Sequence, residues 1–189
     1  PEYQFGRSVA IGLHGTFVVV GAPGERSSNA NAGTVYVFQD VSLGNLWNGV
    51  IITNRLFGFP VVSQSPTYQN NLLGWDVSAT ANDSLACGSA PLRSSGTFGT
   101  GVIVCYRGFA NGTWTPQFTV EAPPPSGTDN QCTAQHFGTS FDVGINGHVM
   151  GVLAYCQIQN SITQLGRLFI FENTILRHQE ILYDSIFSI

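Results

Sequence analysis

Lysine is missing altogether: the seven cationic side chains are all Arg, and Asp and Glu together number eleven. Charged residues therefore make up 10% of the 189 positions, against about 25% in ordinary soluble domains. The surface must be wetted by Ser, Thr, Asn, Gln and backbone, or be covered by neighbours or glycans. A net charge of −4 with scattered Arg leaves no basic stripe, so nucleic acid is a poor partner. No apolar run approaches the roughly 18 residues needed to span a bilayer. CxxC pairs, Cys/His metal spacings, GxSxG, a P-loop and a GxGxxG after a strand are all absent, which removes the common signatures of zinc, hydrolase and nucleotide chemistry. The chain opens on Pro1 rather than Met, as expected of a processed or excised segment.

What is present suits a folded chain. Hydrophobic residues reach 43%, close to the globular norm, and the length is ample for a core. Four cysteines, Cys87, Cys105, Cys132 and Cys156, form an even set with three pairings open. Asn82-Asp83-Ser84 and Asn111-Gly112-Thr113 are N-glycosylation sequons. Even cysteines and sequons together lead us to expect an extracellular or cell-surface protein.

The decisive feature is an internal repeat. "YQFGRSV" from Tyr3 lies over "NLLGWDV" from Asn71 and "QHFGTSF" from Gln135, at offsets of 68 and 64 residues. At the same offsets "FVVVGAP" from Phe17 falls on "LACGSAP" from Leu85 and "VMGVLAY" from Val149. "GTVYVF" from Gly33 matches "GVIVCY" from Gly101, and after a one-residue insertion "GRLFIF" from Gly166. Each copy reads as four strands: two short apolar ones joined by a tight turn, a third rich in β-branched and aromatic residues, and a more polar fourth. The fourth is expected in "WNGVIITN", "TWTPQFTVE" and "RHQEILYD". Apolar residues on both faces of the middle strands fit sheets sandwiched between neighbours.

The pattern "FGRSVA…FVVVGAP…GTVYVF" resembles the FG-GAP repeat, found in the N-terminal propeller of integrin α subunits and in many extracellular proteins. The resemblance is strongest in the first copy, where Phe5-Gly6 and Gly21-Ala22-Pro23 stand at the motif positions. The second copy keeps Gly74 and Ala90-Pro91, and the third Phe137-Gly138. It implies an all-β chain of three four-stranded antiparallel propeller-type blades, over residues 1–68, 69–132 and 133–189. Three blades fall short of the four to eight of closed propellers, so the array is expected to be incomplete or part of a larger assembly. Many such repeats hold Ca²⁺ in a carboxylate-rich loop. Here the corresponding links, "IGLHGT", "TANDS" and "GINGH", are short and carboxylate-poor, so no metal or other cofactor is expected.

The remaining candidates have structural readings beside functional ones. Cys87 and Cys105 align with Val19 and Val37 on neighbouring strands, so we expect bridges Cys87–Cys105 and Cys132–Cys156, with buried free thiols as the alternative. Asn111 is expected in an exposed loop and Asn82 in a tight turn. Trp47 and Trp114 are candidate sugar-stacking rings or repeated structural residues; Trp75 is expected between blades. His14, His136, His148 and His178 read as surface turn residues. Asp76 and Asp142 read as hydrogen-bond acceptors to blade turns rather than as a glycosidase pair.

Three functions fit. The first is a non-catalytic interaction or structural module, self-associating through open blade faces into a larger propeller, ring or filament, or mediating adhesion. The second is a carbohydrate-binding propeller. The third is an accessory domain of a secreted hydrolase. The expected partners are other copies or further blades, with protein or glycan ligands.

Overall fold

The computed structural model describes residues 4–12, 15–25, 32–40, 51–56, 71–80, 85–92, 101–122, 132–145, 147–158, 164–172 and 180–188. Within them the chain is all-β, in three antiparallel sheets. The first contains β1 (Val9–Ile11), β2 (Phe17–Ala22), β3 (Thr34–Asp40) and β4 (Ile51–Leu56), ordered as in sequence. The second repeats this with β5 (Val77–Ala79), β6 (Leu85–Ala90), β7 (Val102–Gly108) and β8 (Trp114–Glu121). The third has five strands rather than four: β9 (Cys132–Gln135), β10 (Ser140–Val143), β11 (Val149–Ile158), β12 (Gln164–Glu172) and β13 (Glu180–Ser188).

The extra strand arises because the first strand of the third sheet is cut in two by the turn at Phe137-Gly138. β10 pairs with the first half of β11, and β9 with its far end, where Cys156 lies opposite Gln135 and Cys132 opposite Ile158. β9 thus begins at Cys132, the residue at which the second segment was expected to end. The fourth strands run later than the sequence suggests, to Leu56 in the first sheet and to Ser188 in the third. Pro116 is accommodated because β8 is an edge strand and its ladder shifts register beside Tyr106.

Alternation along the middle strands builds two separate cores. In β7, Val102, Val104 and Tyr106 face the first sheet, while Ile103 and Cys105 face the third. β6 divides the same way, with Ala86 and Ala90 on one side and Leu85 and Cys87 on the other. One core joins Phe17, Val19, Val35, Val37 and Leu56 to Leu73, Val77 and Trp114. The other joins Val120 to Phe137, Phe141, Met150, Val152, Phe169 and Phe171. Each large apolar side chain so covered contributes about 1.5–3 kcal/mol, so the sheets are held face to face mainly by these two seams. Burial pushes the Tyr106 phenol well above its ordinary range.

Candidate functional site

The repeated Phe-Gly turn explains how the sheets meet. Gly6, Gly74 and Gly138 all have positive φ, at 86°, 86° and 84°. Each N–H donates to the second strand of its own sheet, to Gly21 O (3.0 Å), Ser89 O (2.9 Å) and Leu153 O (3.1 Å) respectively. In the second and third sheets the turn so held presses its backbone against the preceding sheet. A Cβ on Gly21 would run into the carbonyl oxygen of Gly74, and one on Gly33 into the backbone of Leu73. Gly33 and Leu73 form a parallel bridge, and Leu73 N–H donates to Ala32 O at 3.1 Å. Side chains at these places would force the two sheets apart, so Gly here serves close backbone approach.

The second seam repeats the scheme with more polar parts. Gly101, at φ 78°, packs on Phe137 as Gly33 packs on Leu73. Ser89 stands where Gly21 stands, its Cβ 3.0 Å from where a Cβ on Gly138 would be. Side chains from the first strands then reach across. Ser8 Oγ donates to Gly74 O at 3.3 Å in the first seam. In the second, Phe141 N–H donates to Asp76 Oδ2 (2.9 Å), Ser78 Oγ donates to Asp142 Oδ1 (2.7 Å), and Val143 N–H donates to Ser78 Oγ (3.2 Å). Asp76 and Asp142 accept between neighbouring sheets as well as from the residue after each of them, which corrects their expected role at turns. Arg7 lies over the Trp75 ring at 3.7 Å, linking consecutive Phe-Gly turns.

Among the described residues, two sheet faces have no sheet against them. On the outer face of the first sheet, Phe5, Val9 and Ile11 are 58%, 58% and 65% exposed. Their repeat equivalents are covered: Leu73 and Val77 at 2% and 6%, and Phe137, Phe141 and Val143 at 0%, 6% and 5%. Phe5 meets Tyr36 and Phe38 edge-on at 5.3 and 6.3 Å. Tyr36 Oη donates to Glu25 Oε2 at 2.8 Å, and Glu25 is also paired with Arg55. Burial first, then the Glu25 carboxylate, raises the Tyr36 phenol pKa. On the outer face of the third sheet Val149 and Leu153 are exposed, and Gly151 opens onto space.

The sequence candidates fall as follows. Cys87 and Cys105 are opposed across β6 and β7 and form a disulfide. The bridge expected between Cys132 and Cys156 lies outside the described side chains. Trp114 closes the first seam, 8% exposed, with its ring 5.1 Å from Phe17 and its N–H donating to Gln39 Oε1 at 3.0 Å. That placement corrects the sugar-stacking option for Trp114, because no open ring face is left for a sugar. Trp47, Asn82, His14 and His178 lie outside the described residues. Asn111 is exposed in the β7–β8 turn, its Oδ1 accepting from Thr113 N–H and Oγ1 at 3.1 and 2.7 Å. His148 is exposed. His136 is half-buried rather than on the surface, and desolvation lowers its pKa. Sequence reasoning passed over Gly33, Gly101 and Ser89 as contact points, although the first two recur at one offset.

Among the described residues no helix is long and apolar enough to cross a membrane. No curated protein sequence matches the chain. Residues 2–38, which carry the first Phe-Gly turn and the strands it joins, match the family model described as the FG-GAP repeat.

Proposed function

We propose that this chain is a non-catalytic, extracellular interaction module of the β-propeller type, whose bare Phe5 face docks a further sheet of the same kind. The observation that supports it most directly is the contrast in burial at equivalent positions. Phe5, Val9 and Ile11 occupy places that the neighbouring sheets bury, and are themselves in the open. Contiguous apolar faces of this sort mark interaction surfaces. A sheet docked on the Phe5 face would carry the stack beyond the described sheets, toward the four or more of closed propellers. Adhesion would then be carried by loops at the rim of the completed object. The Cys87–Cys105 disulfide and the exposed Asn111 sequon suit an oxidising, glycosylating compartment.

The test is the mass and shape of native material, by light scattering with negative-stain microscopy. We expect particles containing more than three sheets, whether contributed by one chain or several. Native particles of three sheets alone, with the Phe5 face still reactive to solvent-borne hydrophobic probes, would refute the proposal.

A further inference from the structure

We infer that sheet stacking in this protein is one-way: the Phe5 face accepts a further FG-GAP-type sheet with Gly or Ser at the Gly21 position, while Leu153 closes the opposite end. This rests on the interaction-module reading above and names the partner for it.

The Phe5 side is already shaped for docking. Gly6 holds the same φ as Gly74 and makes the same N–H bond within its sheet. Gln4 and Leu72 share a positive φ, at 52° and 56°. Yet nothing lies within 4 Å of a Cβ built on Gly6, whereas Gly74 and Gly138 meet the preceding sheet. A left-handed conformation at Gln4, which costs a non-glycine residue free energy, is thus kept at a turn with no neighbour. The two internal seams define what fits it: a second strand with Gly21 or Ser89 at the seat, and Gly33 or Gly101 at positive φ ahead of the third strand.

The third sheet offers neither feature. Leu153 takes the place of Gly21 and Ser89 and projects from the open face, 47% exposed. The seat that excludes a single Cβ in the first seam is therefore filled by an isobutyl group. Gly166, in the place of Gly33 and Gly101, lies inside the third strand rather than ahead of it, paired within β12 to Tyr155 and Phe187. A Phe-Gly turn arriving there finds the seat occupied and the receiving backbone already in a ladder. A second copy of the chain consequently cannot supply the sheet that covers Phe5: its third sheet is closed, and the trailing faces of its other two sheets are covered. The partner is an FG-GAP sheet with an unblocked seat, outside the three described here.

The experiment uses sedimentation of the wild-type chain and of a chimaera in which residues 17–39 replace 149–172, giving the third sheet the seat of the first. Isolated from any such partner sheet, the wild type should remain monomeric. The chimaera should form head-to-tail chains, and Gly6→Val within it should return it to monomer. Wild-type chains dissolved by Gly6→Val would overturn the inference while leaving the interaction-module reading intact. A chimaera that keeps its strand circular dichroism yet stays monomeric would overturn it too. Independently of whether the chimaera folds, Ser89→Leu in the wild type places the same block inside the second seam. It should speed amide exchange in β10 and β11 by 100-fold or more (about 2.7 kcal/mol of opening free energy); unchanged exchange would sink the inference.

Discussion

The two seams use one geometry with different materials. In the first, glycine meets glycine, and the contact is mostly apolar and close. In the second, Ser89 replaces the receiving glycine, and Asp76, Ser78 and Asp142 tie the first strands together across the gap. The exchange is physically sensible: a serine Cβ keeps the Phe-Gly turn slightly further off, and hydrogen bonds from the first strands offset the looser fit. Ser89 also belongs to that polar set, since its Oγ accepts from Asp76 N–H at 3.1 Å. The disulfide stiffens β6 and β7 on the side that faces the second seam.

Breaking the tight seam should cost most. Gly74→Val puts a branched side chain at positive φ and against Thr34 O and the Gly21 backbone. We expect a loss of more than about 4 kcal/mol, the range of overpacking combined with backbone strain, read from urea unfolding. A loss under 1 kcal/mol would mean that the seam is not close-packed.

Removing the bridge comes next. Cys87→Ala with Cys105→Ala opens a link between residues 18 apart, a loop worth about 3 kcal/mol on chain-entropy grounds. The same fall in Tm should follow reduction of the wild type, and the double variant should no longer respond to reductant.

The polar ties of the looser seam follow. Asp76→Ala leaves Phe141 N–H without its acceptor and should cost about 1–3 kcal/mol, with faster exchange at that amide. Ser8→Ala, its counterpart in the first seam, should cost about 0.5–1.5 kcal/mol. Equal losses would erase the distinction drawn between the seams.

The smallest effect is on pH dependence. His136 has its pKa lowered by desolvation from 6.5. The unfolded chain therefore takes up the proton first as pH falls. Its contribution to stability is intact above about pH 6.5 and is lost progressively below it, through the folded-state pKa. His136→Gln should flatten the unfolding free energy against pH in that window; an unchanged slope would assign the dependence elsewhere.

Much of this was legible from residues alone. The offset of 68 between Phe5-Gly6 and Leu73-Gly74 marks equivalent turns, and runs such as Val102–Tyr106, apolar at every position, announce burial on both faces. The polar roles were less legible. Asp76 looked like a local turn acceptor because a carboxylate beside a strand start bonds its own backbone as readily as a neighbour's. Trp114 stayed open between a sugar-stacking and a structural role because strand position does not say which side of an edge is covered. His136 looked exposed for the same reason.

The repeat, the strand content and the need for sheets to stack were determined by the sequence itself, because middle strands apolar at successive positions have two faces to remove from water. The tertiary structure decided which faces are covered and how closely. A position's equivalence to Gly21 is written in the alignment, but the consequence of Leu153 there depends on where a neighbouring Phe-Gly turn would place its carbonyl. That distance is set by the packing of whole sheets, and no local pattern of residues encodes it.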